Sequence, residues 1–278
     1  MTVVFLALAS AALFGAMTVA LRIGLRGADA SVATVATMLS ALAVGLVAFA
    51  ARGGGLDGAW PFLLAGVLAP GASQILFTLS TREAGASRTS VVVGTAPLFA
   101  VAIALVALDE PASAPLIVGA LLIVGGGIAL ASERDRPGHL RPLGLLFALG
   151  ATLLFAIRDN VVRALHGEAA PETAAAATLV AGTLIALAWA RRLPSGGDLR
   201  RLAPAGLCFG LSYVFLFEAY ARGRVSVVSP LVATESLWGV GLAALVFGKT
   251  EGVGKRLALG ALLVVAGGVL IGASLYRR

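Results

Sequence analysis

The chain has 278 residues, 59% of them hydrophobic and only 13% charged, with a net charge of +7 and a mean hydropathy of +0.98. An ordinary globular domain carries roughly 45–50% apolar and about 25% charged residues, so this chain lacks the polar surface to cover a soluble core. Disorder is excluded by the apolar content and a disulfide scaffold by the single cysteine, Cys208; no basic stripe interleaved with aromatics supports nucleic-acid binding.

What remains is an integral membrane protein. A spanning helix needs about 20 mostly apolar residues, a barrel strand only about 9–11 alternating ones. The first pattern recurs, and it predicts helices at 2–23, 31–51, 59–81, 87–108, 114–132, 143–163, 172–190, 203–221, 225–247 and 255–275. The first lacks a basic start and a small-residue cleavage site, so it reads as a retained helix and not as a signal peptide. The connections are too short to hold a soluble domain.

The chain also repeats itself. Gly119 to Gly127 (GALLIVGGG) returns 141 residues on as Gly260 to Gly268 (GALLVVAGG), with seven of nine positions identical. The same offset pairs Glu110 with Glu251, Leu13-Phe14 with Leu154-Phe155 and Arg22 with Arg163. An offset of 140 pairs Leu76-Phe77 with Leu216-Phe217 and Arg82 with Arg222; one gap later, Thr95-Ala96-Pro97 falls on Thr234-Glu235-Ser236. The expected fold is therefore an all-α integral membrane protein of ten transmembrane helices. Two five-helix repeats, 1–135 and 136–278, make one membrane domain around a polar hinge at Glu133 to Arg141. Five is odd, so the second copy enters the membrane from the opposite side. Such inverted repeats can pack in two mirrored ways, one open to each face, which is the basis of alternating access.

Two homologous five-helix halves, glycine-rich fifth and tenth helices, and the turns Leu108-Asp109-Glu110-Pro111 and Gly248-Lys249-Thr250-Glu251 before them resemble the drug/metabolite transporter superfamily, in its ten-helix EamA-type branch. The resemblance covers essentially the whole chain. It implies secondary transport of small metabolites through a cavity lined by helices 1, 3, 4, 6, 8 and 9. Within the branch the chain is similar to bacterial amino-acid exporters of the YddG type. Where those exporters carry a bulky aromatic before the fourth-helix proline, this chain has Ala96.

Ionisable residues at membrane depth are costly and ask for a reason. Arg158 and Asp159 in helix 6, Glu218 in helix 8 and Glu235 in helix 9 stand out, and their repeat mates are Met17, Thr18, Thr78 and Ala96. All four charges are in the second half. Arg158 could fork onto a substrate carboxylate, with Glu235 or Glu218 accepting an ammonium; equally, Arg158 could pair with one of the acids and lock helix 6 to its neighbours. Tyr213, Phe217 and Tyr220 on helix 8, Thr234 and Trp238 on helix 9, and Gln74, Phe77 and Thr78 on helix 3 add polar and aromatic surface, with Phe14 and Phe155 as repeat mates. The candidate substrate-binding set is Phe14, Met17, Gln74, Phe77, Thr78, Thr95, Phe155, Arg158, Asp159, Tyr213, Phe217, Glu218, Thr234, Glu235 and Trp238. Pro70, Pro97 and Pro230 are candidate kinks, because proline frees a carbonyl that only a neighbour or a cavity can satisfy in a membrane. Trp60 and Trp189, at span ends, read as interface anchors.

The glycines of helices 5 and 10 permit close helix packing, within the halves or across a homodimer, so monomer and homodimer both remain open. A near phosphate-loop match at Ala243 to Thr250 fails, because its first glycine is alanine and a membrane helix leads into it. No metal-spaced Cys/His set and no hydrolase motif occur, so neither a metal, a cofactor nor enzyme chemistry is expected. The partners expected are a small-molecule substrate and the lipid bilayer, with no nucleic acid. Other readings are transport of cationic drugs or nucleotide sugars, and a transport-inactive scaffold or sensor. Nineteen arginines against two lysines suit a GC-rich bacterial genome, hence a multi-pass protein of the bacterial plasma membrane. The odd-numbered connections hold fourteen Lys/Arg and the other face six. Positive-inside logic then puts both termini outside, whereas the resemblance implies both inside.

Overall fold

The computed structural model describes residues 2–96, 98–100, 102–103, 114–131, 142–165, 167–223, 225–248 and 254–276. Among them, helical segments follow one another in the predicted order: α1 (Thr2–Gly24), α2 (Ala30–Ala51), α3a (Ala59–Gly66), α3b (Ser73–Ala84), α4 (Ala86–Val93), α5 (Ala114–Ala131), α6 (Pro142–Ala164), α7 (Pro171–Ala190), α8 (Gly196–Arg222), α9a (Val225–Val232), α9b (Glu235–Phe247) and α10 (Lys255–Tyr276). Six are long and apolar enough to cross a bilayer alone: Thr2–Gly27, Ala30–Ala51, Ala59–Ala84, Pro142–Val162, Pro171–Ala190 and Gly196–Arg222. The protein is an all-helical, multi-pass membrane protein. The division between 135 and 136 lies outside the described residues.

Helix ends follow local chemistry. The Asp29 carboxylate accepts from the Ser31 amide at 2.8 Å and caps α2. Helix α8 begins at Gly196, well before the apolar run expected from 203, because Ser195 and Asp198 form a capping box. The connections gather at two faces. On the first, where α1 begins, Thr173 donates to the Gly55 carbonyl at 2.8 Å. On the opposite face, Arg201 donates to the Gly27 carbonyl at 2.6 Å and Arg22 to the Arg82 carbonyl at 2.8 Å.

Helix pairing shows the inverted repeat directly. Helix α1 packs on α8 as α6 packs on α3b, and α8 on α2 as α3a packs on α7; α5 meets α10 across the axis. The close approaches are reciprocal to single residues. A Cβ on Gly126 would lie 2.7 Å from the Gly260 carbonyl oxygen and 2.9 Å from Val264; on its mate Gly267 it would lie 2.5 Å from the Gly119 oxygen and 2.7 Å from Ile123. Gly66 faces the Thr178 carbonyl, and its mate Gly206 faces that of Thr37, each at 2.5 Å. Gly126 of α5 and Gly267 of α10 thus face each other's helix, between the two halves of one chain.

Helices α4 and α9 break at matching places. The Gly94–Thr95 and Ala233–Thr234 turns correspond in the repeat. The Thr95 hydroxyl donates to the Val92 carbonyl at 2.6 Å, and the Thr234 hydroxyl to the Leu231 carbonyl at 2.6 Å. Their own amides bond the same two carbonyls, tightening each turn from i−4 to i−3 pairing. Pro230 lies inside α9a, before its turn, and Pro97 lies outside the described residues. Among the described residues, the helical segments α4 and α9a end at these threonine turns. In helix 3 the backbone leaves helical geometry at Ala69 (φ −144°, ψ 117°), next to Pro70. That break packs on α7, where a Cβ on Gly182 would lie 2.6 Å from the Pro70 ring.

Gly126→Ala and Gly267→Ala are each expected to lower stability in detergent by about 1–3 kcal/mol, because the methyl group meets backbone that cannot move aside. Gly125→Ala should be neutral, since its nearest neighbour, Leu263, lies 4.0 Å from the added carbon. Thermal melts of the three purified variants check the contrast.

Candidate solute-binding cavity

Between the halves lies a cavity lined by Ser10 and Phe14 of α1, Val93 of α4 and Ala96 beyond it, Phe155, Arg158 and Asp159 of α6, Ser212, Tyr213 and Leu216 of α8, Val232 of α9a and Glu235 of α9b. Three repeat-mate pairs are in that wall: Phe14 with Phe155, Val93 with Val232, and Ala96 with Glu235. Mates meet only around the pseudo-two-fold axis. The inner end of the cavity therefore sits on the axis, and Glu235 with it.

Charge is arranged unevenly around this space. Arg158 is buried and donates to Asp159 Oδ1 from Nε at 3.0 Å and from Nη2 at 2.7 Å. Its Nη1 donates to the Tyr213 hydroxyl. The guanidinium also stacks between two rings, 5.2 Å from the Phe155 centroid and 5.1 Å from that of Tyr213, an arrangement a planar cation favours. Arg158 thus pairs with its sequence neighbour and not with Glu218 or Glu235. Glu235 accepts no hydrogen bond from a described residue, and it opens the first turn of α9b. With all three groups ionised, two carboxylates face one guanidinium, and the cavity carries one net negative charge.

Six of the residues singled out in the sequence meet here: Phe14, Phe155, Arg158, Asp159, Tyr213 and Glu235. Phe77 closes the floor, packing edge-on against Phe14 at 5.2 Å and Phe155 at 6.4 Å between centroids. Phe217 lies beyond Tyr213 at 5.6 Å, and Met17, Gln74 and Thr78 are fully buried below the floor. Thr95 and Thr234 shape the turns rather than the wall. Trp238 is 47% exposed on the outer surface, its Cβ set against Gly15. Glu218 lies at the first face, where it pairs with Arg52 at 2.8 Å and with Arg222. Ser10 and Ser212, not singled out, exchange hydroxyl-to-carbonyl bonds of 2.9 Å in both directions. Small hydroxyls that satisfy backbone carbonyls blend into apolar helices, and only their position beside Phe14 and Tyr213 hints at them.

An inverted-repeat membrane protein with a charged, aromatic-lined cavity on its axis is built as a secondary transporter. The sequence profile of the EamA-like transporter family matches residues 1–132 and again 142–273. The chain belongs to that family, within the drug/metabolite transporter superfamily, and is a transporter, not an enzyme. A solved crystal structure of another protein superposes with a TM-score of 0.72 over 99% of this chain and 97% of that one, at 19% identity. At that identity the likeness shows the fold alone. No curated protein matches the chain.

Replacing Arg158 by leucine leaves Asp159 buried without its cation and is expected to cost about 3–5 kcal/mol. Arg158→Leu with Asp159→Leu should recover most of that loss. Glu218→Gln should cost no more than about 1 kcal/mol, because its arginines are half in solvent. Melting curves of the four proteins rank the effects, and equal melting points for the single and double variants would contradict the pairing.

Proposed function

We propose that this protein moves small amine-bearing metabolites, amino acids foremost, out across a bacterial plasma membrane by alternating access. The observation that carries the reading is Glu235, a buried carboxylate on the pseudo-two-fold axis that accepts no hydrogen bond from a described residue. A group on the axis can be reached from both faces as the halves exchange packing, which a binding residue for a transported solute requires. Its carboxylate accepts the ammonium. The N–H groups of Arg158 not spent on Asp159 and Tyr213 face the carboxylate of the solute. Ala96, the axis mate of Glu235, leaves room for a side chain where the YddG-type exporters, which the sequence resembles, carry an aromatic ring. Bending at the Gly94–Thr95 and Ala233–Thr234 turns carries the change of access. The division into halves near 135 follows from the same reading.

A second reading, transport of organic cations, draws on the engagement of Arg158. If the Arg158–Asp159 pair is closed to anions, the remaining net negative charge suits a monocation better than a zwitterion. Counterflow in proteoliposomes over amino acids, their methyl esters, nucleosides and cationic drugs separates the two. Saturable amino-acid counterflow that Glu235→Gln reduces by about 100-fold or more, the effect of losing a buried ion pair to the ammonium, supports the first. Counterflow of esters and cationic drugs alone supports the second. Counterflow of nucleotide sugars alone, or a Glu235→Gln protein as active as the parent, overturns both. Spin-label distances across the two turns should change on adding substrate; fixed distances would rule out bending there.

A further inference from the structure

The cavity occupies only one of two positions that the fold makes equivalent. Its off-axis wall is formed by Arg158, Asp159, Ser212 and Tyr213. Their repeat mates are Met17, Thr18, Ala72 and Ser73, which lie on the far side of the Phe14–Phe77–Phe155 floor. No space is open there. Met17, Thr18, Ser73, Gln74, Phe77 and Thr78 are all at 0% exposure.

That closed region is nevertheless the wrong chemistry for a permanent core. Within one and a half turns of α3b, the Ser73 hydroxyl, both amide atoms of Gln74 and the Thr78 hydroxyl are buried without a hydrogen-bond partner among the described residues. Buried polar groups in native proteins are nearly always paired, and each unpaired one carries the full cost of lost hydration. A glutamine amide with neither its donor nor its acceptor used is a poor choice for a helix whose only duty is packing. Such a cluster is explained if these groups are wet in another conformation of the same protein.

We propose that Ser73, the repeat mate of Tyr213, forms with Gln74 and Thr78 beside it on α3b the polar wall of a second half-cavity, across the aromatic floor from the first, which opens to the opposite face and admits water and the uncharged hydrogen-bonding groups of the solute. The inference rests on alternating access but not on the identity of the solute. The two half-cavities share Glu235 on the axis and differ beyond it. One presents the Arg158–Asp159 pair and a tyrosine; the other presents a methionine, hydroxyls and an amide. Phe77, with Phe14 and Phe155, is the septum between them.

Site-directed labelling tests this without any substrate. With Cys208, the one native cysteine, changed to serine, Ser73→Cys and Thr78→Cys are introduced singly and exposed in sealed vesicles to a membrane-impermeant thiol reagent from either face. Labelling is expected from the opposite face only. Gln74→Leu, which removes the unpaired amide, is then added to Ser73→Cys. Relief of that burial should favour the closed arrangement, raising Tm and slowing labelling of Ser73→Cys by about tenfold or more. Absence of labelling at both positions from the opposite face, an unchanged labelling rate with Gln74→Leu, or a lower Tm with Gln74→Leu would each overturn the proposal. Failure of the Glu235 counterflow test leaves these readouts untouched, so the two ideas fall separately.

Discussion

Hydrocarbon offers a polar group nothing to bond to, and that single constraint organises this protein. Where the chain must break a helix inside the membrane, it supplies the missing partner locally: Thr95 and Thr234 each turn hydroxyl and amide onto one carbonyl. Where it must hold charge, it pairs it, as in Arg158 with Asp159, or leaves it on a cavity wall, as in Glu235. Glu218 follows the first course nearer the surface, with two arginines that reach into solvent. Among the described residues, the unpaired groups at 73–78 are the densest departure from that rule, beside single ones at Thr37, Ser90 and Tyr220, and such a cluster calls for a cause.

Symmetry and chemistry are divided between different residues. The scaffold is symmetric because its contacts are made by backbone and by glycine: Gly126 on Gly260 and Gly267 on Gly119, Gly66 on Thr178 and Gly206 on Thr37. Contacts of that kind have the same geometry in either half, which on the proposed alternating-access reading keeps two mirrored packings close in energy. The side chains that face the cavity have diverged. Arg158, Asp159 and Tyr213 stand opposite Met17, Thr18 and Ser73 in the repeat. Duplication preserved the hinge and freed the wall to specialise.

How much of this was legible beforehand depended on which physical signal each feature leaves. Spans are set by the length of apolar runs, and the repeat by the GALL segments, so ten helices in inverted halves could be read from the residues alone. Charge at depth is equally visible, and of the four charges it singled out, Arg158, Asp159 and Glu235 line one cavity while Glu218 does not. Helix rotation left no such trace. A helix in a bilayer is apolar toward lipid and apolar toward its neighbours, so the period that separates core from surface in a soluble protein is nearly absent. Trp238 on the outer surface and Ser10 in the cavity wall are consequences of that silence. Partners distant in sequence were hidden too: nothing in the run around Glu218 announces Arg52, which lies in a connection more than half the chain away. The break at Pro70 was legible because proline is the loud signal, while the threonine that tightens each of the other two turns looks like any other small polar residue.

The uneven walls bear on what a transporter of this build can and cannot do. On the proposed cycle, a solute that meets Arg158 and Asp159 from one side and only hydroxyls and an amide from the other would bind with different strength in the two conformations. That difference sets how much solute each face must present to fill the site. It cannot by itself set the direction of net movement, because a ligand shifts an equilibrium only by its differential affinity and the closed cycle returns the protein unchanged. Direction must come from a gradient of the solute or of an ion moved with it. The charge that such an ion would have to compensate is the one carboxylate both conformations share. Glu235 is therefore the residue at which binding, access and any coupling would have to meet, and the asymmetry around it tunes the two faces without choosing between them.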